Sequence, residues 1–140
     1  MRCKKIAETY VVRLELGEEL CESLLRLAET EDIRLAEISG IGASSSAQIG
    51  IFDPLSKTYK PVSSNDFLEA VSLTGNLTRK DDKPYLHVHA LLADPVSGTV
   101  LAGHLTRLVV GATAELFVRA LPGEIGRAVC QETGLNLMDV

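Results

Sequence analysis

The segment PYLHVHALLADPVSGTVLAGHLTR, residues 84–107, contains all three histidines of the chain and decides the fold expected around them. Alternation of residue types predicts one strand at 85–92 and another at 99–105. On the first strand, His87 and His89 share a face, because side chains two residues apart point the same way. The opposite face carries leucine, valine and alanine. The segment therefore predicts an antiparallel hairpin with a polar histidine face.

The turn between these strands decides whether His104 joins that face. Residues 94–98, DPVSG, place proline and glycine where a turn favours them. A four-residue loop pairs Asp94 with Thr99, and counting back from this pair sets His89 opposite His104. A loop one residue longer or shorter would turn His104 to the apolar face, because the side-chain period of a strand is two. We therefore expect three imidazoles on one patch.

Three imidazoles that converge from neighbouring strands suit Zn²⁺, which accepts neutral histidine nitrogens. With His87, His89 and His104 as ligands, a fourth position is left for water or a substrate. The alternative is that these histidines are ordinary polar residues of a sheet face or a subunit interface, bonded to backbone or carboxylates. Tyr85 shares their face, either as a wall of a pocket or as an interface tyrosine.

Two glutamates, Glu69 and Glu115, are the carboxylates best placed in the sequence to serve such a site. Each lies in a predicted strand of otherwise apolar character. Either would orient a ligating histidine or act catalytically as a proton carrier beside a metal-bound water. Otherwise they pair with arginines or lie on the surface. The arginines considered for such pairing are Arg79, Arg107 and Arg119.

The rest of the chain predicts an α+β fold, a largely antiparallel β-sheet with one main helix after the first strand. The helix follows from apolar residues at i, i+4, i+7 and i+8 within 18–30. The small-residue run GIGASSS at 40–46 is interpreted as a connector, since it lacks the spacing and lysine of a phosphate loop. Further strands are expected at 8–16, 33–39, 47–52, 58–62 (an edge), 67–77 and 109–119, a short helix at 124–132, and a strand or extended tail at 135–138.

The composition is typical of a globular protein, and the net charge disfavours one class of partner, nucleic acid. Its 140 residues predict a single domain, 1–140. A formal net charge of −5 argues against a broad nucleic-acid surface, which draws its affinity from clustered lysine and arginine. Three scattered cysteines without a CxxC pair indicate a reducing compartment. With no signal-peptide pattern and no apolar stretch of membrane length, we expect a cytoplasmic protein without membrane association.

Several motifs in this order resemble the plants-and-prokaryotes conserved (PPC or PCC) domain, in its stand-alone prokaryotic form. The likeness runs from about residue 10 to the C-terminus. Two residues depart from the family pattern: Leu108 stands where glycine is frequent after GHL, and Leu68 replaces a common phenylalanine. The motifs that carry the likeness are VVRLELGEELCESLLRLAE at 11–29, ISGIGA at 38–43, QIGIFDP at 48–54, LEAVSLTGNL at 68–77, PYLHVHALLAD at 84–94, AGHL at 102–105 and ATAE at 112–115.

The resemblance implies a largely antiparallel α+β fold and a homotrimer. It also implies that the histidines of its HxH and GHL motifs fall on His87, His89 and His104, which are linked to metal in some prokaryotic members. Plant relatives carry separate AT-hook segments for the DNA minor groove. This chain has no such segment, so nucleic acid is a disfavoured partner.

Three functions follow as expectations. The first is a trimeric binding or regulatory module with a three-histidine zinc site, which takes a small ligand or a protein partner. The alternative is a metal-dependent enzyme of hydrolase or lyase type that uses a metal-bound water. Sequence-specific DNA binding by the domain alone ranks third. No feature of the sequence identifies a substrate.

Overall fold

The computed structural model describes all residues, 1–140, as nine strands and one helix. The predicted fold class is confirmed, because the chain is mostly antiparallel sheet with a single helix. In chain order the elements are β1 (Arg2–Ile6), β2 (Thr9–Glu15), α1 (Leu20–Thr30), β3 (Ala36–Asp53), β4 (Thr58–Ser64), β5 (Leu68–Lys80), β6 (Lys83–Ala93), β7 (Val100–Ala120), β8 (Arg127–Val129) and β9 (Asn136–Met138).

Two long strands, β3 and β7, organise the main sheet. The strand order is β1-β2-β7-β6-β5-β3-β4, and β3 also pairs with β7, so that β7, β6, β5 and β3 form a closed antiparallel ring. The strand β3 pairs with both β5 and β7, and each pairing contains register shifts. One hydrophobic cluster of 25 buried residues fills the space between the ring and α1.

The small-residue run at 40–46 is part of β3, so its interpretation as a connector is wrong. A Cβ added at Gly40 would lie 2.6 Å from the carbonyl oxygen of Glu115, and one at Gly42 would lie 2.6 Å from that of Thr113. The glycines are needed here because β3 and β7 approach too closely for a side chain. A strand under that constraint has the same composition as a flexible loop.

The helix α1 lies where its periodicity predicts and packs against β6 and β7. The carboxylate of Glu19 caps it by accepting a hydrogen bond from the Glu22 N–H at 2.6 Å. Its other oxygen accepts from the Leu108 N–H at 2.9 Å, and Leu108 is itself fully buried. The leucine that replaces the family's frequent glycine at 108 is thus part of the hydrophobic core. No helix of the chain has the length and hydropathy to cross a bilayer.

Three further predictions about the elements are wrong or incomplete. The strand β1 was not predicted, and all of its residues are exposed at the edge of the sheet. The two strands expected at 99–105 and 109–119 are one continuous strand, β7. The helix expected at 124–132 is absent, because Arg127–Val129 pairs with Asn136–Met138 in a small separate hairpin. The strand expected at 135–138 is confirmed.

Candidate metal centre

The histidine hairpin has the predicted register, with His89 directly opposite His104. The turn holds it: the Asp94 N–H donates to the Thr99 carbonyl at 2.9 Å, and the Gly98 N–H donates to the Asp94 carbonyl at 2.8 Å. One Asp94 carboxylate oxygen also accepts from the Val96 N–H at 2.8 Å. The turn that closes in this way is consistent with the observed alternation of β6 against β7.

The register of His104 is also held from its other side. There β7 pairs with β3, and His104 lies opposite Gly50. The pairing of β7 with β3 continues as far as Ala120. The position of His104 is therefore set twice, by the hairpin turn and by a long strand pairing that no count along the hairpin reveals.

The three imidazoles converge on one point of the sheet surface. The ring centroid of His87 lies 5.1 Å from those of His89 and His104, and the latter two are 5.8 Å apart. One ring nitrogen from each can be chosen so that all lie within 4.8 Å of one another. Tetrahedral Zn–N bonds of about 2.0–2.1 Å separate ligand nitrogens by roughly 3.3 Å. The nitrogens therefore lie within about 1.5 Å of the spacing that a shared zinc ion requires.

Two of the three histidines, His87 and His104, have pKa values lowered toward the neutral form that a metal requires. Burial, followed by the neighbouring imidazoles, lowers the pKa of His87 to about 4. Burial and His89 also lower the pKa of His104. His104 Nδ1 is buried and has no hydrogen-bond partner, a costly state for a ring nitrogen. Neutral rings with an unsatisfied nitrogen fit a divalent metal, whose ligands must be deprotonated.

A cavity of about 270 Å³ opens in front of His87 and His104. One wall comes from Lys57, in the turn before β4, and from Tyr59, in β4 itself. The ring centroid of Tyr59 lies 5.1 Å from that of His104. It reaches this position over Gly50, where an added Cβ would lie 3.0 Å from Tyr59 Cδ1.

The rest of the lining, apart from the histidines, comes from Tyr85 and from residues 134–137 of the C-terminal hairpin. Arg127 fastens this hairpin to the sheet. Its guanidinium donates to Thr78 Oγ1 at 2.8 Å, to Asn76 Oδ1 at 2.6 Å and to the Asn136 carbonyl at 3.0 Å. It also lies over the Tyr85 ring, 4.7 Å from its centroid. Arg127 belongs to the segment 124–132, where the sequence predicted a helix. The shape of the cavity therefore depends on a segment that the sequence did not predict correctly.

The candidate glutamates lie elsewhere. Glu69 and Glu115 line a second cavity of about 470 Å³, together with Ile41 and Phe67. Neither shares a cavity with the histidines, and neither forms an ion pair within the chain. Glu69 lies opposite Ala93. Within one chain, these carboxylates are not placed to orient the histidines or to exchange a proton with a ligand bound there.

The sequence-based reasoning identified the histidines and Tyr85 but missed Lys57, Tyr59 and Asn136. Their only signal in the sequence is the DPLSK turn at 53–57, which has the same chemistry as the turn between β6 and β7. Nothing in that turn indicates that its lysine lies beside residues of β6 and β9. These neighbours come from strand order alone.

The family model of the Plants and Prokaryotes Conserved (PCC) domain matches residues 1–122. The chain belongs to this family. The match includes all three histidines and ends just before the C-terminal hairpin. No curated protein matches the chain significantly.

Solved structures resemble this PCC domain over nearly its whole length. The metal-containing protein of Archaeoglobus fulgidus is 38% identical, with a TM-score of 0.88, over 96% of this chain and 94% of that one. A plant- and prokaryote-conserved protein of Pyrococcus horikoshii is 34% identical, with a TM-score of 0.88, over 99% and 94%. A candidate DNA-binding protein of Bacteroides thetaiotaomicron is 28% identical, with a TM-score of 0.94, over 99% and 96%. The shared fold thus extends through the C-terminal hairpin.

Proposed function

We propose that this PCC domain binds zinc through His87, His89 and His104 and acts, as a homotrimer, as a binding or regulatory module. The single observation that supports it most is the geometry of the three imidazoles, which place one nitrogen each within 4.8 Å of the others. The lowered pKa values of His87 and His104 keep these two rings neutral and ready to bind. The metal-containing relative of Archaeoglobus fulgidus adds a second, independent support.

The coordination sphere would be open on one side. A structural zinc is usually closed by four protein ligands, whereas three ligands leave a position for an external group. The histidine cluster offers three ligands, and no cysteine or carboxylate lines the cavity beside it. The open position would face this cavity. We therefore favour a module that takes a small ligand over a purely structural zinc.

Self-association, which the proposed homotrimer requires, is supported by exposed apolar side chains on the sheet. Ile41, Phe67, Val71 and Phe117 are each about half exposed, and the first three surround the cavity that contains the two glutamates. Apolar residues grouped in this way on a surface mark protein contacts. Light scattering should give about three times the chain mass of 15.1 kDa. A monomer at micromolar concentration would contradict the trimer.

A metal-dependent enzyme of hydrolase or lyase type is the second candidate, and the cavity in front of the histidines favours it over an inert zinc. A bound zinc would supply Lewis acidity and a water with a pKa near neutrality. Tyr59, Tyr85 and Lys57 are the proton-bearing side chains that line this cavity with the histidines. They would position a substrate and exchange protons with it, in place of Glu69 and Glu115.

DNA binding stays the least favoured function, although one relative is described as a candidate DNA-binding protein. The chain has 14 lysines and arginines against 19 acidic residues. Affinity for DNA requires clustered positive charge and weakens with salt. A gel-shift titration at physiological ionic strength should show no specific complex. Tight, sequence-dependent binding there would overturn this ranking.

Metal content per chain tests the proposed function. The protein is purified without a histidine tag and analysed for metals by mass spectrometry. We expect close to one zinc per chain in the natural protein and less than a tenth of that in His104→Ala. The matched control is Thr74→Ala, because Thr74 lies directly opposite His89 but contributes no ligand. No metal in the natural protein, or unchanged metal in His104→Ala, would refute the site.

A further inference from the structure

The cavity in front of the histidines has an unusual charge for this protein. Acidic residues outnumber basic ones by 19 to 14 in the chain as a whole. Yet the cavity is lined by two histidines, one lysine, two tyrosines and one asparagine, and by no aspartate or glutamate. A divalent ion on the histidines would add two further positive charges. Such a region attracts anions.

Lys57 is the cation at the cavity that is free to bind a ligand. It forms no ion pair with any carboxylate of the chain, unlike its neighbour Lys60, whose ammonium lies 2.8 Å from Asp53. The Lys57 side chain runs along the C-terminal hairpin, since a Cβ added at Gly134 would lie 3.8 Å from Lys57 Cβ and 3.9 Å from Cδ. Lys57 is exposed beside this hairpin, and its ammonium has no carboxylate partner within the chain.

Arg127 adds a second positive charge, beside Tyr85 and the C-terminal hairpin. Like Lys57, it has no carboxylate partner. All three of its hydrogen bonds go to neutral acceptors, namely the side chains of Asn76 and Thr78 and the carbonyl of Asn136. These bonds leave it no freedom to move to a ligand. Its charge still lies close to the cavity, because the guanidinium carbon is 4.7 Å from the ring centroid of Tyr85, which lines that cavity. Two cations without counter-ions thus flank one small cavity.

We infer that the cavity binds a small organic carboxylate, with one carboxylate oxygen on the histidine-bound metal and the other on Lys57. This inference rests on the proposed zinc site, because the metal supplies half of the recognition. Charge-assisted hydrogen bonds between an ammonium and a carboxylate are among the stronger polar contacts in proteins. Lys57 is then the residue that selects an acid over a neutral ligand.

The rest of the cavity fits the organic part of such a ligand. Leu135, Leu137 and the rings of Tyr59 and Tyr85 give the walls apolar surface. A volume of about 270 Å³ lies below the roughly 300–1,000 Å³ of drug-sized pockets, which indicates an acid of only a few carbons. Inorganic phosphate would satisfy the cations but would leave the apolar walls without contacts.

Cobalt(II) in place of zinc makes the inference measurable, because its visible absorption reports changes in ligands. The cobalt-loaded protein is titrated with propanoate, with its neutral analogue propanamide, and with inorganic phosphate. We expect a saturable spectral change with millimolar propanoate, a weaker response to phosphate, which cannot contact the apolar walls, and none to propanamide. In Lys57→Ala the dissociation constant for propanoate should rise about tenfold, the usual scale for loss of one charge-assisted contact.

Lys60→Ala is the matched control, since it removes a lysine of the same region that is paired with Asp53 and does not line the cavity. We expect its propanoate affinity to be unchanged. Cobalt binding without a propanoate response, or an equal response to propanamide, would overturn the inference and leave the metal site standing. A response to phosphate alone would overturn the carboxylate class, and equal effects of the two lysine variants would overturn the role of Lys57. Failure of cobalt to bind would refute the metal site and this inference together.

Discussion

Metal-free protein should lose stability in mild acid because of His87. Its pKa in the folded chain is about 4, against an ordinary value of 6.5. Between these values the unfolded chain binds a proton that the folded chain excludes. Stability from this group is therefore fully present above about pH 6.5 and is lost as the pH falls toward 4.

The size of this effect follows from the pKa difference. At about 1.36 kcal/mol per pKa unit, a shift from 6.5 to about 4 corresponds to roughly 3 kcal/mol. His87 is only partly buried, so solvent screening reduces the expected effect to about 1–2 kcal/mol. His104, whose pKa is lowered in the same direction, adds to the loss.

The assay is urea denaturation of chelator-treated protein at pH 7.5 and pH 5.0, at one protein concentration and one ionic strength. His87→Gln, which cannot titrate, is the comparison. We expect the free energy of unfolding of the natural protein to fall by about 1 kcal/mol more than that of the variant between the two pH values. Added zinc should stabilise the natural protein at pH 7.5, where it binds the neutral rings, and should stabilise His87→Gln less, because the variant lacks one ligand.

Equal falls in the natural protein and His87→Gln would refute this reasoning. That outcome would mean that His87 is as accessible to protons in the folded chain as in the unfolded one. The imidazoles would then not be held together on the sheet surface in the absence of metal.

Two further changes test how the site is built. Arg127→Met removes the three hydrogen bonds that hold the C-terminal hairpin to the sheet. Hydrogen exchange at 127–138 should rise at least tenfold, and the free energy of unfolding should fall by about 1–3 kcal/mol. Unchanged exchange there would contradict the role of Arg127. One glycine inserted after Val96 should leave zinc per chain unchanged, because pairing with β3 holds His104 independently of the loop; loss of zinc in a folded insertion variant would show that the loop alone sets the register.

The hairpin could be predicted from the sequence because its determinants are local. The DPVSG turn, the alternation of residues on both strands and the period of two are all contained in 84–107. The α1 helix was predictable for the same reason, from its own apolar spacing. In both cases the residues that decide the structure are neighbours along the chain.

The sequence-based predictions are wrong at positions whose structure depends on strands that are distant along the chain. In the sequence, Gly40 and Gly42 are typical of a flexible loop. In the structure, a Cβ added at either position would lie 2.6 Å from a backbone carbonyl oxygen of β7, so both glycines belong to a strand. The sequence of residues 124–132 does not show which distant residues they contact. In the structure, Arg127 donates hydrogen bonds to two side chains of β5, and these bonds favour a hairpin there. Strand order likewise separates Glu69 and Glu115 from the histidines and brings Lys57 to them.

An anomalous difference map from zinc-loaded crystals, recorded at the zinc absorption edge, tests the central claim most directly. We expect one peak per chain, about 2.0–2.1 Å from one ring nitrogen each of His87, His89 and His104, with a non-protein oxygen as fourth ligand on the cavity side. A chain without a peak at these histidines, or with zinc bound only at other residues, would contradict it.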